Sequence, residues 1–223
     1  MGARGLLAAG AAGPVLFTLV WLVEGAVRPA YDPVRSWVSE LALSDRGVVL
    51  VGACVISGVL IVALGAGLRA AVTAGPGATW GHRLVTTAGV ALVAAGVFVT
   101  DPGTYLPDGV TARVTWHGIL HDVAGPVMIL SVAAASVVYS RRFARAYGLA
   151  TAVATVAFWV VASVLNGLDH GGVWSPAPAG LFERLSLVTA AAYLVYLARR
   201  VRIGVAPAGA DRPASPVGTG AGR

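Results

Sequence analysis

The sequence predicts an all-α membrane protein, a bundle of six transmembrane helices. Three observations carry this. The chain of 223 residues is 57% hydrophobic with a mean hydropathy of +0.79. Only 12% of its residues are charged, about half of what a soluble domain uses to cover its surface. Its apolar residues fall into six runs long enough, or nearly so, to cross a hydrocarbon core of about 30 Å.

The runs are Leu6–Val27, Val48–Leu68, Leu84–Thr100, Trp116–Tyr139, Tyr147–Leu165 and Phe182–Ala198. A backbone in lipid must satisfy its own hydrogen bonds, so each run is expected as a helix despite its β-branched valines. Small residues such as Gly58, Gly65, Gly89, Gly96 and Gly125 allow close helix approach. The first run follows Arg4 as a signal peptide would. Its length and Glu24 near its end favour an uncleaved first helix. Residues 1–202 read as one transmembrane domain. The Gly-, Ala- and Pro-rich tail 203–223 cannot bury a core and is expected to be disordered.

Orientation follows from arginine placement. The chain has 16 basic residues, all of them arginine. Eleven sit at one set of helix ends: Arg4, Arg69, Arg83, Arg141, Arg142, Arg145, Arg199, Arg200, Arg202, Arg212 and Arg223. Five sit at the other: Arg28, Arg35, Arg46, Arg113 and Arg184. The richer side is expected to be cytoplasmic, with both termini there, in the cell membrane. The net charge of +6 is therefore a topology signal and not a nucleic-acid surface. Membrane lipids are the expected surroundings, and no protein partner is legible. Cys54, the single cysteine, lies in an apolar run and cannot form an internal disulfide.

The acids are still more one-sided. Glu24, Asp32, Glu40, Asp45, Asp101, Asp108, Asp122, Asp169 and Glu183 map to the outer loops or outer helix ends, and only Asp211 maps inside. In the first outer loop, Asp32-Pro33 is a helix-start signature. Val34, Trp37, Val38 and Leu41 then recur at helical spacing. A short interfacial helix is expected there, with Trp37 at headgroup depth.

The second outer loop begins with Asp101-Pro102 and enters the fourth helix at His117 and His121. Their i, i+4 spacing puts both imidazoles on one face, where they could hold a cation or pass a proton. Asp122 lies about 100° further round that helix. The third outer loop offers Asn166, Asp169 and His170, and Glu183 and Arg184 open the sixth helix.

Ionisable groups at membrane depth are functional candidates by default. The leading expectation is an outer-face pocket for a lipid, headgroup or small ligand, built from Asp32, Asp101, His117, His121, Asp122, Asp169, His170, Glu183 and Arg184. A first alternative is a metal-dependent membrane enzyme of lipid-hydrolase type. It would hold a divalent cation with His117, His121, Asp101 and His170. The zinc-protease pattern His-Glu-x-x-His is absent. A second alternative is a structural or partner-binding membrane subunit.

Several short segments together resemble a known family. They are Gly13-Pro-Val-Leu-Phe17, Tyr31-Asp-Pro-Val-Arg-Ser-Trp-Val-Ser-Glu-Leu-Ala42, Thr100-Asp-Pro, His117-Gly-Ile-Leu-His-Asp122 and Gly180-Leu-Phe-Glu-Arg-Leu-Ser186. Their order and placement resemble the bacterial integral membrane family known as the domain of unknown function 998, over nearly the whole chain to about Arg202. The use of arginine without lysine looks like a high-GC actinobacterial genome. The resemblance implies a six-helix membrane fold and carries no established activity, so no catalytic residue transfers.

Overall fold

The computed structural model describes residues 2–43, 45–106, 111 and 113–204. The expectations for Asp108 and for residues 205–223 of the tail lie outside these residues, while Ile203 and Gly204, expected in the disordered tail, end the last helix. Among the described residues there are six α-helices, one 3-10 helix and no strand. The α-helices are α1 (Ala3–Val27), α2 (Gly47–Ala71), α3 (Gly81–Val97), α4 (Trp116–Ser140), α5 (Arg145–His170) and α6 (Ala179–Gly204). Five of them are long and apolar enough to cross a membrane. The shorter apolar helix is α3, with 17 residues.

Each helix packs on its neighbours in sequence, and α6 closes the ring on α1. The pairs run antiparallel, as their close approaches show. Gly10 of α1 packs on Leu64 of α2, while Gly13 sits on Ser57 and Ile61. Along α2 and α3, a Cβ on Gly58 would meet the carbonyl oxygen of Gly89 at 2.6 Å. Gly96 packs on Cys54, and Gly65 on Thr86. So α3 lies against α2 along its whole length, and only glycine fits where the backbones nearly touch. Ser186 Oγ donates to the Thr155 carbonyl at 2.7 Å, joining α6 to α5.

The outside of the ring is apolar. Leu19, Val59, Val90, Leu130, Val153 and Val188 are all exposed, one from each helix. A water-soluble fold would bury such a set, and a lipid-facing bundle presents it. Trp80, Trp116 and Trp174 are exposed at helix ends, with the Arg83 guanidinium over the Trp80 ring. Tryptophan is enriched at these depths because its ring is both apolar and polar. The chain is a multi-pass membrane protein.

Two local expectations change. The first outer loop does not form a helix starting at Asp32. Asp32 Oδ1 accepts from the Val34 amide at 2.8 Å and holds a turn, and a 3-10 helix then runs Val38–Leu43. Val38, Glu40 and Leu41 are buried, so the segment is packed against the bundle. The apolar spacing that suggested a lipid-facing stripe is satisfied by protein. The second change is at α5, which runs on to His170. Asp169 and His170 are thus helical, and the third outer loop shrinks to residues 171–178.

Candidate functional site

The loops at the end of the bundle expected to be outer are held by carboxylates. Glu40 is 2% exposed and accepts four hydrogen bonds. Its Oε2 takes the Trp37 amide at 2.9 Å and the Thr104 hydroxyl at 3.0 Å. Its Oε1 takes the amides of Gly103 at 2.8 Å and Tyr105 at 3.0 Å. A charged acceptor with four donors compensates a burial that would otherwise cost several kcal/mol, of order 2–7 even for a neutral polar group. One side chain thereby ties the first outer loop to the second.

Around it stand further ties. Glu24 at the end of α1 pairs with Arg28 at 2.7 Å and with Arg46 at 2.6 Å, linking α1 to the start of α2. Arg28 also donates to the Leu41 carbonyl. Arg35 makes a two-pronged contact with Asp169, at 2.7 and 2.8 Å. That joins the first outer loop to α5, and the Asp169 carboxylate also accepts from the Ala177 amide. Arg184 forms no ion pair among the described residues. Arg184 donates to the Tyr31 hydroxyl and to the Ser36 and Gly180 carbonyls, and it stacks over the Trp21 and Tyr31 rings. Burial, opposed by the nearby Arg184, pushes the Tyr31 phenol well up, so it stays a protonated donor, here to the Trp37 carbonyl at 2.8 Å.

Asp101 accepts from the Thr115 amide at 2.7 Å and the Thr115 hydroxyl at 2.6 Å, and Thr115 in turn caps α4 through the Gly118 amide. Burial raises the Asp101 carboxyl, but the Thr115 bonds, with His117 and Arg113 nearby, outweigh it and hold it below the usual aspartate range. The three outer histidines share one arrangement. His117 Nδ1 is 2.9 Å from the Val99 carbonyl, His121 Nδ1 is 2.9 Å from those of Ala95 and Phe98, and His170 Nδ1 is 2.8 Å from that of Asn166. A carbonyl can only accept, so Nδ1 carries the proton in each. When the ring is neutral, Nε2 is left as an acceptor.

Beneath the loops lies a cavity of about 500 Å³. Its outer part is lined by Glu40, Asp101, His121 and Asp122, with Asn166, His170 and Glu183 opposite on α5 and α6. Its inner part is apolar, lined by Phe17, Leu92, Met128, Trp159 and Leu187. Its size falls within the range of small-molecule sites, about 300–1,000 Å³.

Five of the nine candidate residues therefore line one cavity: Asp101, His121, Asp122, His170 and Glu183. The other four stand apart from it. Asp32 holds a turn, His117 is bonded at the helix start, Asp169 is paired with Arg35, and Arg184 braces the first loop. Three of the four metal candidates, Asp101, His121 and His170, line that cavity without converging on one point. Among the described residues no three His, Cys, Asp or Glu side chains cluster as a metal-ion site.

Glu40, Trp37 and Asn166 join the site without having been candidates. Glu40 carried a faint signal: it is third in the 3-10 helix after Trp37, the place from which a Glu reaches back to the capping amide. The usual Ser or Thr partner at the cap is replaced by Trp37, so the motif is half written.

Neither the curated proteins nor the solved structures contain a match to the chain. The sequence profile described as "Protein of unknown function (DUF998)" matches residues 11–200. With most of its length covered by that profile, and with the loop segments that suggested the resemblance lying inside it, the chain belongs to the DUF998 family.

Proposed function

We propose that the protein crosses the cell membrane six times, with both termini cytoplasmic, and binds an amphiphilic ligand in its outer-face cavity. The ligand is a lipid or a small molecule with a polar head and an apolar body. The two-part lining carries this reading: carboxylates, histidines and an amide stand at the outer end, and Phe17, Leu92, Trp159 and Leu187 stand below them. A water-filled polar crevice would not need the lower half, and a packing defect would not collect ionisable groups.

The span count is supported by α3. Its 17 residues rise about 25 Å at 1.5 Å each, within the range that crosses a bilayer. It lies antiparallel on α2 along its length and exposes Val90 to the lipid side. The orientation is supported by the arginines, eleven against five.

The test is to purify the protein in mild detergent and identify retained lipid by mass spectrometry, beside a Gly125→Trp variant. Gly125 lines the cavity and has open space where a side chain would stand. A Cβ there meets nothing within 4 Å, so the indole enters from open space and takes up cavity volume. Wild type is expected to retain a defined lipid that the variant loses. Equal lipid content in both proteins would refute the reading.

A further inference from the structure

The charges around the cavity are sorted. Three ion pairs occur among the described residues, using Glu24 twice and Asp169 once, and neither acid lines the cavity. The acids that do line it are Glu40, Asp101, Asp122 and Glu183, and none of the four is in an ion pair there. No arginine among the described residues lines it. Four of the five outer arginines are engaged elsewhere: Arg28 and Arg46 on Glu24, Arg35 on Asp169, Arg184 on Tyr31 and backbone carbonyls. The fifth, Arg113, stands near Asp101 and forms no ion pair among the described residues.

Its hydrogen-bonding capacity is sorted the same way. Glu183 is 8% exposed and takes one bond, from the Val38 amide to Oε2, which leaves Oε1 without a donor among the described residues. Asn166 Oδ1 is buried without a partner among the described residues. His121 and His170, with Nδ1 donating to carbonyls, keep an acceptor nitrogen when neutral. Trp37 Nε1 runs the other way, a buried donor with no partner among the described residues.

We infer that the ligand of this cavity is a cationic amphiphile, with a protonated amine as its head, and not an anionic phosphate lipid. The inference rests on the amphiphile reading above and adds the sign of the head. Unpaired carboxylates in a low-dielectric wall are stabilised by a cation and strongly repel a phosphate. The unfilled acceptors on Glu183 and Asn166 require a donor, and an ammonium brings three. Trp37, in the same lining, offers its Nε1 donor to a ligand hydroxyl.

The full-length protein in detergent is titrated with three probes of equal chain length: hexadecylamine, hexadecanol and hexadecyl phosphate. Binding is read by native mass spectrometry, with Asp122→Asn, Glu183→Gln and Gly125→Trp beside wild type. A glutamine at 183 still accepts from the Val38 amide, and the Asp122 side chain makes no hydrogen bond among the described residues, so both variants keep the loop ties. The amine is expected to bind at least tenfold more tightly than the phosphate, with the alcohol between. Each charge-removing variant is expected to cut that preference at least threefold. Phosphate binding as tight as amine, or a preference unchanged in both Asp122→Asn and Glu183→Gln, overturns the cationic assignment. If all three probes bind alike and Gly125→Trp abolishes them, the amphiphile reading survives alone. If no probe binds, that reading falls and the sign of the head falls with it.

Discussion

Replacing Glu40 by alanine removes one acceptor that serves four donors, three of them backbone amides. The Tyr105 amide bond is buried and those from Trp37 and Gly103 are partly so. A hydrogen bond to a charged group contributes about 1.5–3 kcal/mol, and an orphaned buried donor costs about 1–3 kcal/mol. Water reaching the truncated site recovers part of this. A net local loss of about 3 kcal/mol remains for the junction between the first and second outer loops. Hydrogen exchange reads it directly. At 1.4 kcal/mol per decade, the amides of Gly103 and Tyr105 are expected to exchange about a hundredfold faster in Glu40→Ala. Amides in the inner halves of α2 and α3 are expected to stay unchanged. Glu40→Gln keeps one oxygen for Gly103 and Tyr105 but presents an NH2 group to the Trp37 amide, so its effect falls between wild type and alanine. Unchanged exchange at Gly103 and Tyr105 in Glu40→Ala would refute the hub role.

Other outcomes follow from the same geometry. Arg35→Ala strips the buried Asp169 carboxylate of a two-pronged partner and is expected to cost about 2–3 kcal/mol, below the usual 3–5 for a buried pair because the Arg35 side chain is 35% exposed. Lysine at 35 restores only part of it, having no fork, and protease cleavage within 171–178 reports the loss. Gly89→Ala puts a methyl 2.7 Å from the Gly58 carbonyl and is expected to lower the thermal midpoint by several degrees, from a strain of about 1–3 kcal/mol; Gly125→Ala, with open space, is not. The Asp101 carboxyl is held low, so its contribution is present above an unfolded-state value of about 4 and is lost as pH falls through its lower folded value. Thr115→Val removes one of its hydrogen bonds and is expected to shift that acid loss to higher pH, read as thermal midpoint against pH. For orientation, a cysteine placed at Val173 is expected to react with a membrane-impermeant thiol reagent in intact cells, and one at Ala74 is not. Cys54 is buried and gives little background.

The helices and their order were legible because lipid imposes one simple rule. A segment crossing hydrocarbon must be apolar and must bond its own backbone, and both demands are local, so Leu6–Val27 or Trp116–Tyr139 announces itself in a single strand of text. The clustering of acids at the outer end was legible for the same reason: alternate helix ends share a side. The resemblance of the loop segments to the DUF998 family was equally local, and the family match over residues 11–200 agrees with it.

What happens inside those loops was not legible. Asp101 and Asp122 line the cavity while Asp32 and Asp169 do not, although all four are acids at the outer end. The difference lies in partners distant in sequence: Arg35 reaches Asp169 across 134 residues, and Val38 donates to Glu183 across 145. The stretch after Pro33 has the spacing of a lipid-facing helix, yet Glu40 in its midst draws in amides from the second loop and buries the segment. The sequence by itself determined that the chain lives in a membrane, and which end carries its chemistry, because hydrophobicity and charge act residue by residue. Only the tertiary structure decided which acids are neutralised and which face an open cavity, because ion pairs and hydrogen bonds depend on who stands opposite, and that is settled when the ring of helices closes.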